Sequence, residues 1–483
     1  MKVLAVIAVP GLALLASCTV GPNYHRPNVR APAGWASSLA GGETNTPADL
    51  ATWWRGFNDT NLDSLVTVAI QSNLTLRVAE AHVREARAER DVAAGGLWPS
   101  VGSSASYSRN RWSQNSFFSL PPGRADYDLY NVGFDAAWEL DVFGGTRRTV
   151  EAANAEVGVA MAGRRGVLVS LLAELARNYM EARGYQQRLA ITRQNIEVQK
   201  ESLNLTRSRY RSGLSSELDV QQAAALLAAT QSQVPSLETG FVQAVHHLSV
   251  LLGQPPGTLM NEMSVEKPIP LTPPAVPVGL PSGLLQRRPD IQRAERELAA
   301  ATARIGVAKA DLFPKFSLTG FASLESVSAH NWFDYGSRAW SAGPTVRWEL
   351  FEAGRIRANI RVQNARQEQA LDAYEQAVLA ALEDVENALV AYAKEQTRRD
   401  ALRRSVQADQ RALELSTQLY KSGLADFLRV LDSERSLYAA QDTLVQSEQG
   451  ISLDLVQLYK ALGGGWETQN ALTSAPARTS HPL

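Results

Sequence analysis

Cysteine occurs once in 483 residues, at Cys18, which excludes a disulfide framework and any cysteine-rich metal site. A surplus of either charge is missing too. Lys and Arg number 48 against 49 Asp and Glu; without a concentrated basic surface the chain is not expected to bind nucleic acid. No glycine loop suited to cradling phosphate occurs, so the chain has no ATP hydrolysis of its own. His246 and His247 are adjacent, and on a helix neighbours point about 100° apart, a poor geometry for sharing a metal. No catalytic residues, no cofactor and no metal site are expected.

Lys2 precedes an apolar run over residues 3–15, followed by Ala16, Ser17 and Cys18. The run is too short for a spanning helix, which needs ~20 residues. Its basic start and small-residue end are those of an export signal. Leu15-Ala16-Ser17-Cys18 resembles a bacterial lipobox, which implies cleavage before Cys18 and acylation of that residue. The alternative is an ordinary signal peptide with an incidental cysteine. Thr19 stands where an aspartate would resemble an inner-membrane retention signal, so outer-membrane delivery is favoured. Residues 1–17 are then a lipoprotein signal peptide. Residues 18–58, rich in Pro, Gly, Ser and Asn, form a lipidated extended segment, with Trp53, Trp54 and Phe57 packing where it meets the body.

Internal repetition is the most informative presence. Ala79-Glu80-Ala81 through Leu97-Trp98-Pro99 aligns with Ala294-Glu295-Arg296 through Leu312-Phe313-Pro314. Trp138-Glu139-Leu140 answers Trp348-Glu349-Leu350, and Tyr210-Arg211-Ser212-Gly213-Leu214 answers Tyr420-Lys421-Ser422-Gly423-Leu424. Two repeats follow, 59–253 and 287–463, joined by the Pro-rich linker 254–286. Each reads helix, two strands, long helix, turn, helix. The strands fall at 100–108 and 128–142, then at 315–325 and 338–351. The long helices cover 145–210 and 353–420, and the returning helices 217–252 and 426–462. Residues 464–483 read as a disordered polar tail.

The long helices lack proline and would run ~100 Å each at 1.5 Å per residue. Leu168, Leu175, Ala182, Leu189, Ile196, Leu203 and Tyr210 fall seven apart, as do Leu371, Val378, Val385, Tyr392, Arg399, Val406, Leu413 and Tyr420. A seven-residue apolar period winds helices into a left-handed coiled coil.

Strand 128–142 alternates. Tyr130, Val132, Phe134, Ala136, Trp138, Leu140 and Val142 oppose Asn131, Gly133, Asp135, Glu139 and Asp141. Trp340, Ala342, Val346, Trp348 and Leu350 repeat the apolar set, with Pro344 interrupting it. A half-buried soluble sheet also alternates. The length of these strands, the recurring Trp and Tyr and the Gly/Ser/charged opposite face instead suit a membrane barrel with a wet lumen. Tyr130, Phe134, Trp138, Trp340 and Trp348 are then membrane-facing. Four strands cannot close in lipid, where unpaired edges are intolerable, so three copies are expected to share one twelve-stranded barrel. The segments at about 109–127 and 326–337 would be external loops. The expected fold class is an α+β membrane protein: a long α-helical coiled-coil barrel, plus a four-stranded contribution per protomer to a trimeric transmembrane β-barrel, with internal duplication.

From Cys18 to about Gly463 these features resemble the outer membrane factor family, the TolC-like channels, in its lipidated OprM-like efflux branch. The doubled layout, Arg288-Pro289-Asp290 opening a helix, Leu312-Phe313-Pro314 before a strand and the paired Tyr-x-Ser-Gly-Leu turns carry the resemblance. Asn73-Leu74 departs from the Asn-Pro of many members, and a slightly different helix entry is expected there. The resemblance implies a homotrimer with a twelve-helix periplasmic tunnel, held in outer-membrane lipid through acylated Cys18 in a Gram-negative cell. It further implies a passive conduit for drugs or other small molecules, opened by a periplasmic membrane-fusion adaptor and powered by an inner-membrane pump of RND, MFS or ABC type. In the family's arrangement the second-half hairpin lines the constriction, which makes Asp426, Arg429 and Asp432 periplasmic gate candidates. Solvated charge near a helix start is the plainer alternative. Gly213, Leu214, Gly423 and Leu424 are the expected adaptor-contact tips, because a left-handed turn explains the glycines but not an exposed Leu beside each. Two rivals remain at this point: a protein-exporting channel working with an ABC transporter, and a non-conducting structural coiled-coil lipoprotein.

Overall fold

The computed structural model describes residues 19–467 except 30–31, 38–40, 45, 47–49, 114, 116–125, 271 and 274–275. The export signal, Cys18, residues 468–483 and most of the expected loop at 109–127 therefore lie outside the described residues. The main helices are α1 (Thr60–Ser72), α2 (Leu74–Gly95), α3 (Gly145–Arg211), α4 (Glu217–Gln231), α5 (Gln233–Leu251), α6 (Pro289–Ala310), α7 (Arg355–Lys421) and α8 (Phe427–Ala461). The long strands are β1 (Ser100–Arg111), β2 (Asp126–Leu140), β3 (Lys315–Ser326) and β4 (Arg338–Arg347). The chain divides into two compact units, one of residues 1–28, 82–160 and 293–374, the other of residues 29–81, 161–292 and 375–483.

The first unit holds all four strands in one antiparallel sheet of order β1-β2-β3-β4. Its lower limit is set by pairing. Lys315 is the first residue of β3 and pairs with Arg347, so β4 ends there rather than at 351, and Pro314 just before has no N–H to extend the ladder. For the same reason β2, facing Phe316 at Leu140, stops short of 142. β1 runs on to Arg111 because Asp126 remains as its partner.

The start of the described chain is fastened into this unit. Val20 N donates to Phe143 O at 3.1 Å. The buried Arg148 guanidinium donates to Val20 O at 3.1 Å and to Asn23 Oδ1 at 2.8 Å, and pairs with Glu151 at 2.6 Å. Gly21, at φ 96°, lies so close to Gly306 that a Cβ on it would collide with the Gly306 backbone. Further on, Tyr24 hydroxyl donates to Glu295 at 3.3 Å and Arg26 pairs with the same carboxylate at 3.3 Å.

In the second unit the residues before α1 are strapped along the helices. Ala36 and Ser37 N–H groups donate to the Glu386 carboxylate at 2.6 and 2.9 Å. Glu43–Thr44 pairs in parallel with Val276–Pro277. Trp53, Trp54 and Phe57 are buried, with Trp53 stacked on Tyr459 at 5.1 Å. α1 begins where Asp59 accepts from Asn61 and Leu62 N–H groups, and its other carboxylate oxygen accepts from Tyr179 hydroxyl at 2.7 Å. The helix expected to open the first repeat is thus two helices, parted at Asn73.

The returning helix expected over 217–252 is also two helices, parted at Ser232. Pro235 has no N–H for the Gln231 carbonyl, so it sits in the first turn of α5 instead of the interior of one helix. Burial on α3 follows the heptads through Leu168, Leu175, Ala182, Leu189, Ile196 and Leu203, while Tyr210 at the end is exposed. Residues 464–467, expected in the tail, are held on the body. Trp466 Nε1 donates to Arg287 O at 3.0 Å beneath the Arg165 guanidinium 4.4 Å away, and Glu467 pairs with Arg287 at 3.5 Å. Burying that indole holds 464–467 on the body.

Candidate functional site: sheet wall and hairpin tips

Directly opposed residues of an antiparallel pair share a face, so the register tests the alternation across the whole sheet. Val132 opposes Ala105 and Leu324; Phe134 opposes Ala322, which opposes Trp340; Trp138 opposes Leu318; Leu140 opposes Phe316, which opposes Val346. The apolar residues of these rows, drawn from all four strands, therefore lie on one face, with Phe321 a large exception on the other. That face is bare: Phe134 is 65% and Trp340 78% exposed. The other face carries Gly102, Ser104, Asn131, Asp135, Glu139, Ser317 and Thr345 in paired rows. A water-soluble protein would cover the first face and leave the second open; here both lie open, the arrangement of a wall between lipid and water.

Trp138 Nε1 donates to Leu97 O at 3.0 Å and Trp348 Nε1 to Leu312 O at 3.1 Å, each fixing an indole at the helix-side end of the sheet. Trp348 lies just past β4 rather than within it, yet remains exposed. Tyr130 sits at the opposite end, 5.0 Å from Tyr107 and 5.4 Å from Trp332. Aromatics at both ends of the sheet match the girdles that hold a barrel at the membrane interfaces, with Phe134 and Trp340 in one row midway between them. Among the described residues β1 and β4 each have a strand on one side only.

The two hairpin tips repeat one backbone design. Leu214 N donates to Arg209 O at 2.8 Å and Gly213 N to Tyr210 O at 2.9 Å; Leu424 N donates to Leu419 O at 2.8 Å and Gly423 N to Tyr420 O at 3.1 Å. These bonds close a helix with a left-handed residue, and the glycines take φ 73° and 77°. Leu214 is 67% and Leu424 77% exposed, so each helix end presents a bare leucine. Behind them Leu203, Ala223, Tyr420, Phe427, Val430 and Leu431 form a buried cluster that holds the hairpins together.

The gate candidates Asp426, Arg429 and Asp432 lie on the exposed side of α8, three residues apart and thus about 60° round from one another. Asp426 caps the helix, accepting from Arg429 N at 3.3 Å, and Asp432 approaches Arg435 at 4.0 Å. His247 pairs with Glu174 at 2.8 Å. Cys18 is outside the described residues, but Thr19 packs against Gly144 at the strand-to-helix junction that follows β2.

Sequence reasoning missed two buried groups. Glu434, on α8, is almost fully buried, and burial pushes its carboxyl up to about 7 while a hydrogen bond with Ser202 pulls it back. Arg288 was visible only as part of a motif. It donates to Ala461 O at 3.0 Å and pairs with Asp290 at 2.6 Å and Asp384 at 2.9 Å.

A sheet with one bare apolar face and one bare polar face, in a chain that also forms two helices of 67 residues, is the arrangement of a membrane protein rather than a soluble strut. The sequence pattern of the family described as "Outer membrane efflux protein" matches residues 65–254 and 280–464. Nodulation protein T of Rhizobium leguminosarum bv. viciae is 31% identical over 468 residues, 96% of this chain and 94% of that one. The pyoverdine export outer membrane protein OpmQ of Pseudomonas aeruginosa is 33% identical over 459 residues, 94% and 95% of the two chains. The solved structure of the outer-membrane channel OprN superposes with a TM-score of 0.87 at 39% identity, over 93% of this chain and 100% of that chain. The chain belongs to the outer membrane efflux protein family and works in the outer membrane of a Gram-negative cell.

Proposed function

We propose that three copies of the chain close one twelve-stranded barrel and one helical tunnel, a passive conduit through which a periplasmic adaptor and an inner-membrane pump export small molecules. The observation that carries this is the sheet itself, whose apolar face is bare and whose β1 and β4, among the described residues, have no strand on their outer sides. In lipid each missing backbone hydrogen bond costs several kcal/mol, so β1 of one copy pairs with β4 of the next. Three such joins use every edge.

The two halves of the chain are read as a duplication, supported by equivalent hydrogen bonds in each. Trp138 to Leu97 matches Trp348 to Leu312, and Asn73 to Leu251 matches Arg288 to Ala461. Acylation of Cys18 anchors the same end of the molecule, since Thr19 is fixed beside Gly144 at the base of β2. At the tips, Leu214 and Leu424 supply apolar contacts for the adaptor, and threefold symmetry turns Asp426 into a ring of carboxylates at the mouth. The cargo is a small molecule rather than a polypeptide, in keeping with the pyoverdine export that OpmQ is named for. Energy comes from the pump, of RND, MFS or ABC type.

Purified protein in detergent should run as a trimer and give stepwise conductance in planar bilayers. A monomer that does not conduct would return the molecule to a structural lipoprotein.

A further inference from the structure

We infer that Phe321, beside Asp135, forms a binding step within the barrel for organic cations that carry an aromatic group. The inference rests on the three-copy barrel proposed above.

Phe321 lies on the hydrated face of the sheet, in the row Gly102, Asp135, Phe321, Ser341. The rows on either side of it hold Ser104, Gly133, Ser323 and Ala339, and Ser100, Ala137, Thr319 and Gly343. Across these three rows Phe321 is the one apolar side chain larger than alanine, and it is 48% exposed. A strand whose alternation serves only to wet the lumen would place Ser or Thr here, as β3 does at Ser317, Thr319 and Ser323. Asp135 is placed by an absence: a Cβ on Gly102 would come 2.9 Å from Asp135 Oδ1, so the carboxylate lies over bare backbone. A ring and a carboxylate thus stand in one row.

Threefold symmetry sets three rings and three carboxylates at one depth. Twelve strands ~4.8 Å apart and tilted ~40° give a backbone radius of roughly 12 Å. Rings reaching about 5 Å inward, with their van der Waals surface, narrow the passage to roughly 10 Å, so a drug-sized solute passes in contact with at least one ring. The ring face attracts a cation and stacks on an aromatic group, while the carboxylate supplies the opposite charge.

The test is current block in planar bilayers by tetraphenylphosphonium added from the side of residues 327–337, with tetraethylammonium as the ring-free comparison. A constriction at the tips sets the total current, but blocker entering from this side meets the barrel first. Expected is a residence time for tetraphenylphosphonium shortened about tenfold in Phe321→Ser and Phe321→Leu and severalfold in Asp135→Asn, with tetraethylammonium, which can use the ring face but cannot stack, losing clearly less in Phe321→Leu. Phe321→Leu keeps the bulk, so a loss there reports the ring and not the packing. Wild-type residence times in both Phe321 variants of a conducting trimer overturn the inference and leave the barrel standing. A wild type that never conducts overturns the barrel, and this step with it.

Discussion

At the entry to α2 the first half of the chain turns on a neutral amide, and at the entry to α6 the second half turns on a buried cation. Asn73 Nδ2 donates to Leu251 O at 2.8 Å, and its Oδ1 accepts from Leu76 N at 2.8 Å. Arg288 reaches the corresponding carbonyl, Ala461 O, at 3.0 Å, but also binds Asp290 and, from α7, Asp384. The difference extends along the helices. α3 buries apolar residues from Ala152 to Leu203, whereas those of α7 are confined to the stretch from Tyr374 to Tyr392 and to Tyr420 at its end, with Leu415 and Leu419 exposed. The first half is held by apolar packing within the chain. The second half, with a shorter buried apolar stretch on α7, adds an ionic tie to it at Arg288.

Cutting the tie is the strongest way to break that comparison. Arg288→Ala leaves the Ala461 carbonyl at the end of α8 without its partner and cuts the tie to α7 at Asp384. The two carboxylates left behind are about half exposed and water can solvate them, which keeps the cost near the low end for a broken buried pair, about 3 kcal/mol. Asn73→Ala loses one cap and one buried hydrogen bond, about 1–2 kcal/mol. Thermal unfolding of each variant in detergent, followed by helical circular dichroism, measures both. Equal losses would mean the two junctions do the same job by different means.

A second contrast lies behind the tips. Ala224 stands in α4 where α8 carries the buried Glu434. The folded carboxyl holds its proton up to about 7, against 4.5 when exposed. Below pH 4.5 it is neutral in both states and costs nothing. As pH rises from 4.5 to 7 the unfolded chain ionises first, so stability falls through that window and stays lowered above it, by on the order of 3 kcal/mol. Glu434→Gln should therefore match wild type at acid pH and melt higher at pH 8, with about 2 kcal/mol recovered. A variant no more stable at pH 8 would mean that the carboxylate ionises in place without penalty.

What could be read beforehand divides along the same line. Period-two alternation needs only the pleat, and the register later placed Phe134, Ala322 and Trp340 in one row. The Tyr-x-Ser-Gly-Leu turns were legible because a left-handed helix end has few residues to choose from. The break at Ser232 was signalled by Pro235 and lost within an otherwise helical composition. Glu434 gave no signal, since a carboxylate on a helix reads as solvated until the facing helix supplies Leu203 and Ser202. Arg288 was visible as a helix-opening motif, but Ala461 and Asp384 are remote in sequence and only tertiary packing brings them to it.

The smallest effect separates two roles of one residue. Asp426 begins α8 as a cap, while its first-half counterpart Ser216 begins α4 in a reciprocal pair with Asp219. Capping needs an acceptor oxygen and not a charge, so Asp426→Asn should keep stability within a few tenths of a kcal/mol. Asp426→Ala should lose about 1 kcal/mol, as should Ser216→Ala. Conductance gives the other half. If three carboxylates attract cations at the mouth, both Asp426 variants weaken cation preference alike, while Ser216→Ala leaves it unchanged. If Asp426 only caps, Asp426→Asn keeps the wild-type ion preference and the electrostatic distinction between the two tips disappears.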